Sequence, residues 1–265
     1  MSAIKFDLNK PKEKLQFVLQ KHNVNSIIPC QVHLAFDVSL SFDDEHRSGY
    51  TQQLLNRIVP FSMLFDKNQT LDSYVFGSGA EKLDDINLTN FENYVRTDIQ
   101  RSKIYNSGTE YLPIFRMLVD AAGPTEVRVA QPSIQVPVEK KAGFFGKMFG
   151  KTDTIETVEQ KVPDDIIMEQ EKHLVFFVTD GEAFDQEKAK AYLDQVLRTV
   201  TNPFFVFISI GNRLFPFFND NYKDTDYSTY FNLTSQQLHD LQNSKDEDLY
   251  EMIISSSLEV WMNKV

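Results

Sequence analysis

The sequence predicts an α/β protein, with a doubly wound, mostly parallel sheet flanked by helices and interrupted by an inserted β-hairpin or flexible arm. Three observations carry that expectation. Residues 32–36, 174–178 and 204–210 are near-continuous apolar runs of strand length, the pattern of strands covered on both faces. Segments with helical apolar spacing separate them. The 265 residues, 42% of them hydrophobic, suffice to bury a large core, which excludes a disordered or fibrous chain.

Taken in order, residues 12–22 space Leu15, Val18 and Leu19 along one side of a helix, so 1–27 reads as an N-terminal extension packing on a domain that spans 28–265. The strand over 32–36 ends at Asp37. Leu54, Leu55, Ile58, Val59, Met63 and Leu64 then give a core-facing helix over 48–65, in which Pro60 should introduce a kink. A strand over 71–76 closes at Gly77-Ser78-Gly79, and 82–88 reads as a short edge strand. Asn90 is placed to cap a helix carrying Phe91, Tyr94, Val95 and Ile99, and a further helix over 111–122 stops at Gly123-Pro124.

From 124 to 171 the period changes to polar–apolar alternation, as in Ile134-Gln135-Val136-Pro137-Val138, which marks the inserted arm. The rhythm then resumes with a strand over 174–178, a helix over 186–200, a strand over 204–210, a weak strand near 227–233 and a C-terminal helix over 246–262.

Twenty-seven Lys and Arg stand against 38 Asp and Glu, a formal charge of −11 that repels a phosphate backbone, so nucleic acid is excluded as a general partner. Cys30 is the one cysteine, so neither an intrachain disulfide nor a cysteine metal cluster can form. The charged N-terminus and the absence of an apolar stretch of about 18 residues point to a cytoplasmic location.

The chemistry gathers at the strand ends. Asp37-Val38-Ser39-Leu40-Ser41 sets one carboxylate and two hydroxyls at alternate positions just past a buried strand. Thr109, in Asn106-Ser107-Gly108-Thr109, precedes a helix, and Asp180, in Val178-Thr179-Asp180-Gly181-Glu182, follows another apolar strand. Ligands of an open α/β sheet collect outside the carboxyl ends of its strands. Oxygen donors of this kind suit Mg²⁺, with Mn²⁺ or Ca²⁺ as alternatives, over a soft metal.

This ordered set resembles the metal-ion-dependent adhesion site of the von Willebrand factor A family, and the resemblance runs from about residue 28 to the end. It implies a Rossmann-like sheet in which Ser39, Ser41 and Thr109 touch the metal while Asp37 and Asp180 act directly or through water. An acidic group of a protein partner would complete the coordination, so the domain would bind rather than turn over a substrate. The segments 55–65, 71–76, 90–94 and 249–253, with Trp261, look like the tellurium-resistance TerF-like branch, which implies a role in tellurite or stress resistance. Leu40 departs from the family, where glycine is commoner at that place.

Glu182 reads either as an added metal-site acceptor or as a charge at a helix N-terminus. Asp43, Asp44 and Glu45 read as a solvated acidic loop. The five histidines lack metal-ligand spacing and receive no catalytic role. Phe144, Phe145, Met148 and Phe149, among Lys140, Lys141, Lys147 and Lys151, suit either an anionic membrane surface or a partner-binding hairpin tip. The enzymatic alternative is a Mg²⁺-dependent phosphohydrolase, which also places an aspartate after the first strand. It usually needs a second carboxylate two residues on, where this chain has Ser39.

Overall fold

A computed structural model describes residues 6–24, 28–123, 125–129, 134–140, 154–160, 165–169, 171–199, 202–241 and 246–264. The chain divides into two compact units, one built from Met1–Gly123 with Glu171–Val265 and the other from Pro124–Gln170.

The first unit holds a six-stranded sheet. In chain order its strands are β1 (Cys30–Asp37), β2 (Asp72–Phe76), β3 (Ala80–Lys82), β8 (Lys172–Thr179), β9 (Pro203–Ile210) and β10 (Ser228–Leu233). Their spatial order is β10-β9-β8-β1-β2-β3, and only β3 runs antiparallel to its neighbour. The chain leaves β1 toward β2 and later returns to β8 on the other side of β1. The switch point therefore lies between β1 and β8, at their carboxyl ends.

The apolar runs have a direct cause. Successive strand residues face opposite sides, and each side has its own core. Val32, Leu34, Phe36, Leu174, Phe176, Phe204 and Val206 enter one, while Ala35, Val175, Phe177, Phe205 and Phe207 enter the other. The first is covered by α1 (Asn9–Lys21), α3 (Tyr50–Phe65), α9 (Asp246–Ile253) and α10 (Ser256–Asn263). The second is covered by α5 (Leu112–Ala121), α6 (Gln186–Thr199) and α7 (Pro216–Asn221). Helix α8 (Ser235–Asp240) follows β10 and opens with a capping box between Thr234 and Gln237. The N-terminal extension is tied to this unit, because α1 packs on α3 and α9 and Lys21 pairs with Glu251 at 2.5 Å.

Several elements differ from the sequence reading. Asp43–Ser48 forms a short helix, α2, instead of an acidic loop; Asp43 pairs with Arg47 at 2.7 Å and accepts the Tyr105 hydroxyl at 2.7 Å. Gly49, at φ 81°, breaks the chain between α2 and α3, and α3 then runs through Pro60 without ending. The edge strand is Ala80–Lys82, with Ile86 only bridging back to Leu71. Asn90 caps no helix: its side chain accepts the Asn87 N–H and donates to the Asp85 carbonyl. The segment beyond it splits into 3-10 turns flanking the one-turn α4 (Tyr94–Thr97). The C-terminal helix is two helices, because Ser255 is extended and its hydroxyl accepts the Leu258 N–H, starting α10 anew.

In the second unit β4 (Thr125–Val129) pairs antiparallel with β7 (Asp165–Glu169), and β5 (Ile134–Lys140) with β6 (Thr154–Gln160). Phe144, Phe145, Met148 and Phe149 lie outside the described residues.

Candidate metal centre

Asp37 is the last residue of β1 and is fully buried. Its Oδ1 accepts the Ser39 N–H at 2.8 Å, which turns the chain back so that Ser39 and Ser41 face the same way. Its Oδ2 accepts the Thr179 hydroxyl at 2.6 Å, and Phe36↔Val178 register sets β1 beside β8 at this level. Each carboxylate oxygen retains a lone pair beyond those bonds.

The hydroxyls connect the two strand ends. Ser39 Oγ lies 3.1 Å from Ser41 Oγ, and Ser41 donates to Asp180 Oδ1 at 3.0 Å. A methyl group placed on Gly181 would sit 3.8 Å from Ser41 Oγ and 4.0 Å from Thr109 Oγ1, so both hydroxyls face the loop that carries Asp180. The third loop is held in place by its backbone: Leu40 N–H donates to the Ser107 carbonyl at 3.0 Å, Asn106 N–H to the Val38 carbonyl at 2.8 Å, and Phe184 N–H to the Thr109 carbonyl at 3.1 Å. All five expected residues thus come from three neighbouring loops at the switch point. Glu182 is exposed, ahead of α6.

Residues without a recognisable spacing hold this arrangement in place. Thr179 bonds Asp37, and its partnership depends on a parallel pairing that no local pattern announces. His46 is buried, with Nε2 2.8 Å from the Asp37 carbonyl and Nδ1 3.0 Å from the Thr51 hydroxyl. A carbonyl only accepts, so Nε2 carries the proton and Nδ1 accepts from Thr51. Burial pushes this imidazole down to about 4, consistent with a neutral ring. Tyr111 donates to the Gly181 carbonyl at 2.6 Å. Asp185 accepts the Tyr111 and Leu112 N–H groups at 2.8 Å each, capping α5 from the next loop.

The electrostatics are lopsided. Burial raises Asp37 to about 6, against the hydrogen bonds from Thr179 and Ser39. Burial, and next the charge of Asp37, raise Asp180 to about 7. Among the described residues no lysine or arginine forms an ion pair with either carboxylate. Nor do three or more His, Cys, Asp or Glu side chains gather there as a metal site. A cation at this place would therefore rest on two carboxylates and three hydroxyls, a hard all-oxygen set whose chemistry fits Mg²⁺, Mn²⁺ or Ca²⁺.

Sheet order, two-sided cover and oxygen-lined loops at the switch point define a doubly wound α/β domain that displays its site at the carboxyl edge. The chain belongs to the von Willebrand factor A family, in the TerF-like branch described as the vWA found in the TerF C terminus, which matches residues 29–265. No curated protein matches it. Among solved structures it is similar to proximal thread matrix protein 1 from the mussel byssus, at 13% identity and TM-score 0.48, over 86% of this chain and 47% of that one. The same mussel protein with a zinc-occupied MIDAS motif is similar at 14% identity and TM-score 0.43, over 84% and 47%. A von Willebrand factor type A protein from Catenulispora acidiphila is similar at 12% identity and TM-score 0.47, over 84% and 42%. The chain spans about half the length of these structures.

Proposed function

We propose that the loops at the β1/β8 switch point hold one divalent cation, Mg²⁺ by preference, and that the domain uses it to bind the carboxylate of a protein partner. The observation that carries this reading is the fully buried Asp37 beside the half-buried Asp180, mutually repelling and, among the described residues, without a basic counterpart, next to the convergent hydroxyls of Ser39, Ser41 and Thr109. Buried like charges are costly unless a cation offsets them. Bound there, the ion would supply a positive centre with room for one external acidic ligand.

In this reading Asp180, Ser39, Ser41 and Thr109 offer donor atoms. Asp37 adds charge and, through the Ser39 N–H and the Thr179 hydroxyl, keeps the loops in register. Its complete burial argues against a phosphohydrolase, whose aspartate must reach a phosphorus atom. The TerF-like family match supports a setting in tellurite or stress resistance. Calorimetry tests the central claim: wild-type protein takes up Mg²⁺, whereas Asp37→Ala loses it while retaining its far-UV spectrum. An unchanged Mg²⁺ affinity in that variant refutes the proposal.

A further inference from the structure

Leu40 is 66% exposed although it lies between Ser39 and Ser41, and Phe184 is 88% exposed just beyond Asp180. Leu214, 57% exposed, stands on the loop after β9 at the same edge of the sheet. Elsewhere among the described residues, large exposed apolar side chains are Phe17, Leu88 and Val260, each on a different element or loop. Leu40 and Phe184 also flank one loop. The Leu40 N–H is bonded to the Ser107 carbonyl, and the Phe184 ring would touch a methyl on Gly108 at 3.5 Å. Both therefore border the loop that carries Thr109.

The charge around them is one-sided. Glu182 is exposed on the loop after β8 and Asp44 on the first turn of α2, while Glu45 in α2 and Glu110 beside Thr109 are half-buried. Arg47 is engaged with Asp43, and Arg213 stands over the Phe215 ring. A partner segment rich in acids would be repelled everywhere except at the cation itself. An apolar segment would instead cover side chains that now stand in water.

We infer that Leu40 and Phe184 select the partner: the segment that docks here is a polypeptide with a single acidic residue flanked by apolar side chains and free of neighbouring acids. This rests on the cation-binding reading proposed above. The ion fixes the carboxylate, and Leu40 and Phe184 grip the residues on either side. Specificity then comes from the flanks, because any carboxylate satisfies the ion equally.

The test uses the whole chain and an array of short peptides with one central Glu, flanked by Leu and Phe, by Ser, or by Asp, probed with Mg²⁺ and with EDTA. Retention should fall in that order with Mg²⁺ and vanish with EDTA. Phe184→Ser and Leu40→Ser should each weaken the apolar-flanked peptides about tenfold, the scale of one lost apolar contact, and leave the Ser-flanked ones unaffected. Calorimetric Mg²⁺ affinity should be the same in both variants, because both side chains point into solvent. Equal retention of all flanks, or variants that keep the preference, overturns this inference alone if Mg²⁺ still binds. Retention of apolar peptides in EDTA overturns the link to the ion, and Mg²⁺-dependent dimers in sedimentation would assign the surface to a second copy instead. Absence of Mg²⁺ binding in the wild type refutes the cation reading and this one with it.

Discussion

Gly77 has no side chain, and the space beside it is already taken. A Cβ there would lie 2.1 Å from Ser107 Oγ and 3.1 Å from the Gly108 carbonyl. Ser107 cannot simply swing away, since its hydroxyl accepts the Ser78 N–H at 3.0 Å. We expect Gly77→Ala to lower thermal stability and weaken Mg²⁺ uptake, because the strain falls on the loop carrying Thr109. Adding Ser107→Ala should recover part of both losses, as read by melting and calorimetry; no recovery would mean that the backbone contact dominates. This dependence was illegible in the sequence, where Gly77-Ser78-Gly79 read only as the end of a strand. The five oxygen-bearing residues were legible because each sits just beyond an apolar run or just before a helix. Thr179 and His46 were not, since their work is done across pairings that local spacing does not encode.

Between elements, a buried polar link joins α3 to α9. Arg57 and Asp246 are both buried and bonded at 2.9 Å, and Arg57 also donates to the Leu241 carbonyl and to Gln53. Removing Arg57 leaves Asp246, among the described residues, with only the longer 3.8 Å contact to Lys14, and breaking such a buried pair costs up to about 3–5 kcal/mol, whereas removing both partners costs much less. Arg57→Met should therefore destabilise by that order in urea titration, and Arg57→Met with Asp246→Leu should regain most of it. The helices themselves were well anticipated wherever apolar spacing is sustained, as in α1, α3, α5 and α6. Three misplaced helix boundaries each trace to one residue acting against its neighbours: Gly49 with its left-handed backbone, Asn90 bonding backward instead of forward, and Ser255 starting a second helix inside an unbroken apolar pattern.

For the molecule as a whole, one contribution to acid sensitivity comes from a histidine in the sheet that folding keeps dry. His173 is buried in β8, 2.9 Å from His33, and burial first, then the nearness of His33, pushes it down to about 4. His33 in turn lies 3.2 Å from Asp72, misaligned for a hydrogen bond. The unfolded chain takes up this proton near its ordinary value of about 6.5, while the native state resists it until about 4. The stability this group contributes is therefore fully present above about pH 6.5 and declines as pH falls through that window, by about 1.4 kcal/mol per pH unit. Denaturant melts across the window should show His173→Gln with a slope shallower by about one proton; parallel slopes would contradict it. The doubly wound architecture was legible from apolar runs alone, but the neighbours of β1 were not, because β8 lies beyond a whole inserted unit. That order of assembly has a biosynthetic meaning. As the chain emerges from its N-terminus, β1 and β2 can pair at once, yet one side of β1 stays an open edge until Lys172–Thr179 arrives. A nascent chain thus carries a bare, sticky strand throughout translation of the hairpin unit, and the loops proposed to hold the ion come together only when the second half of the sheet closes over that edge.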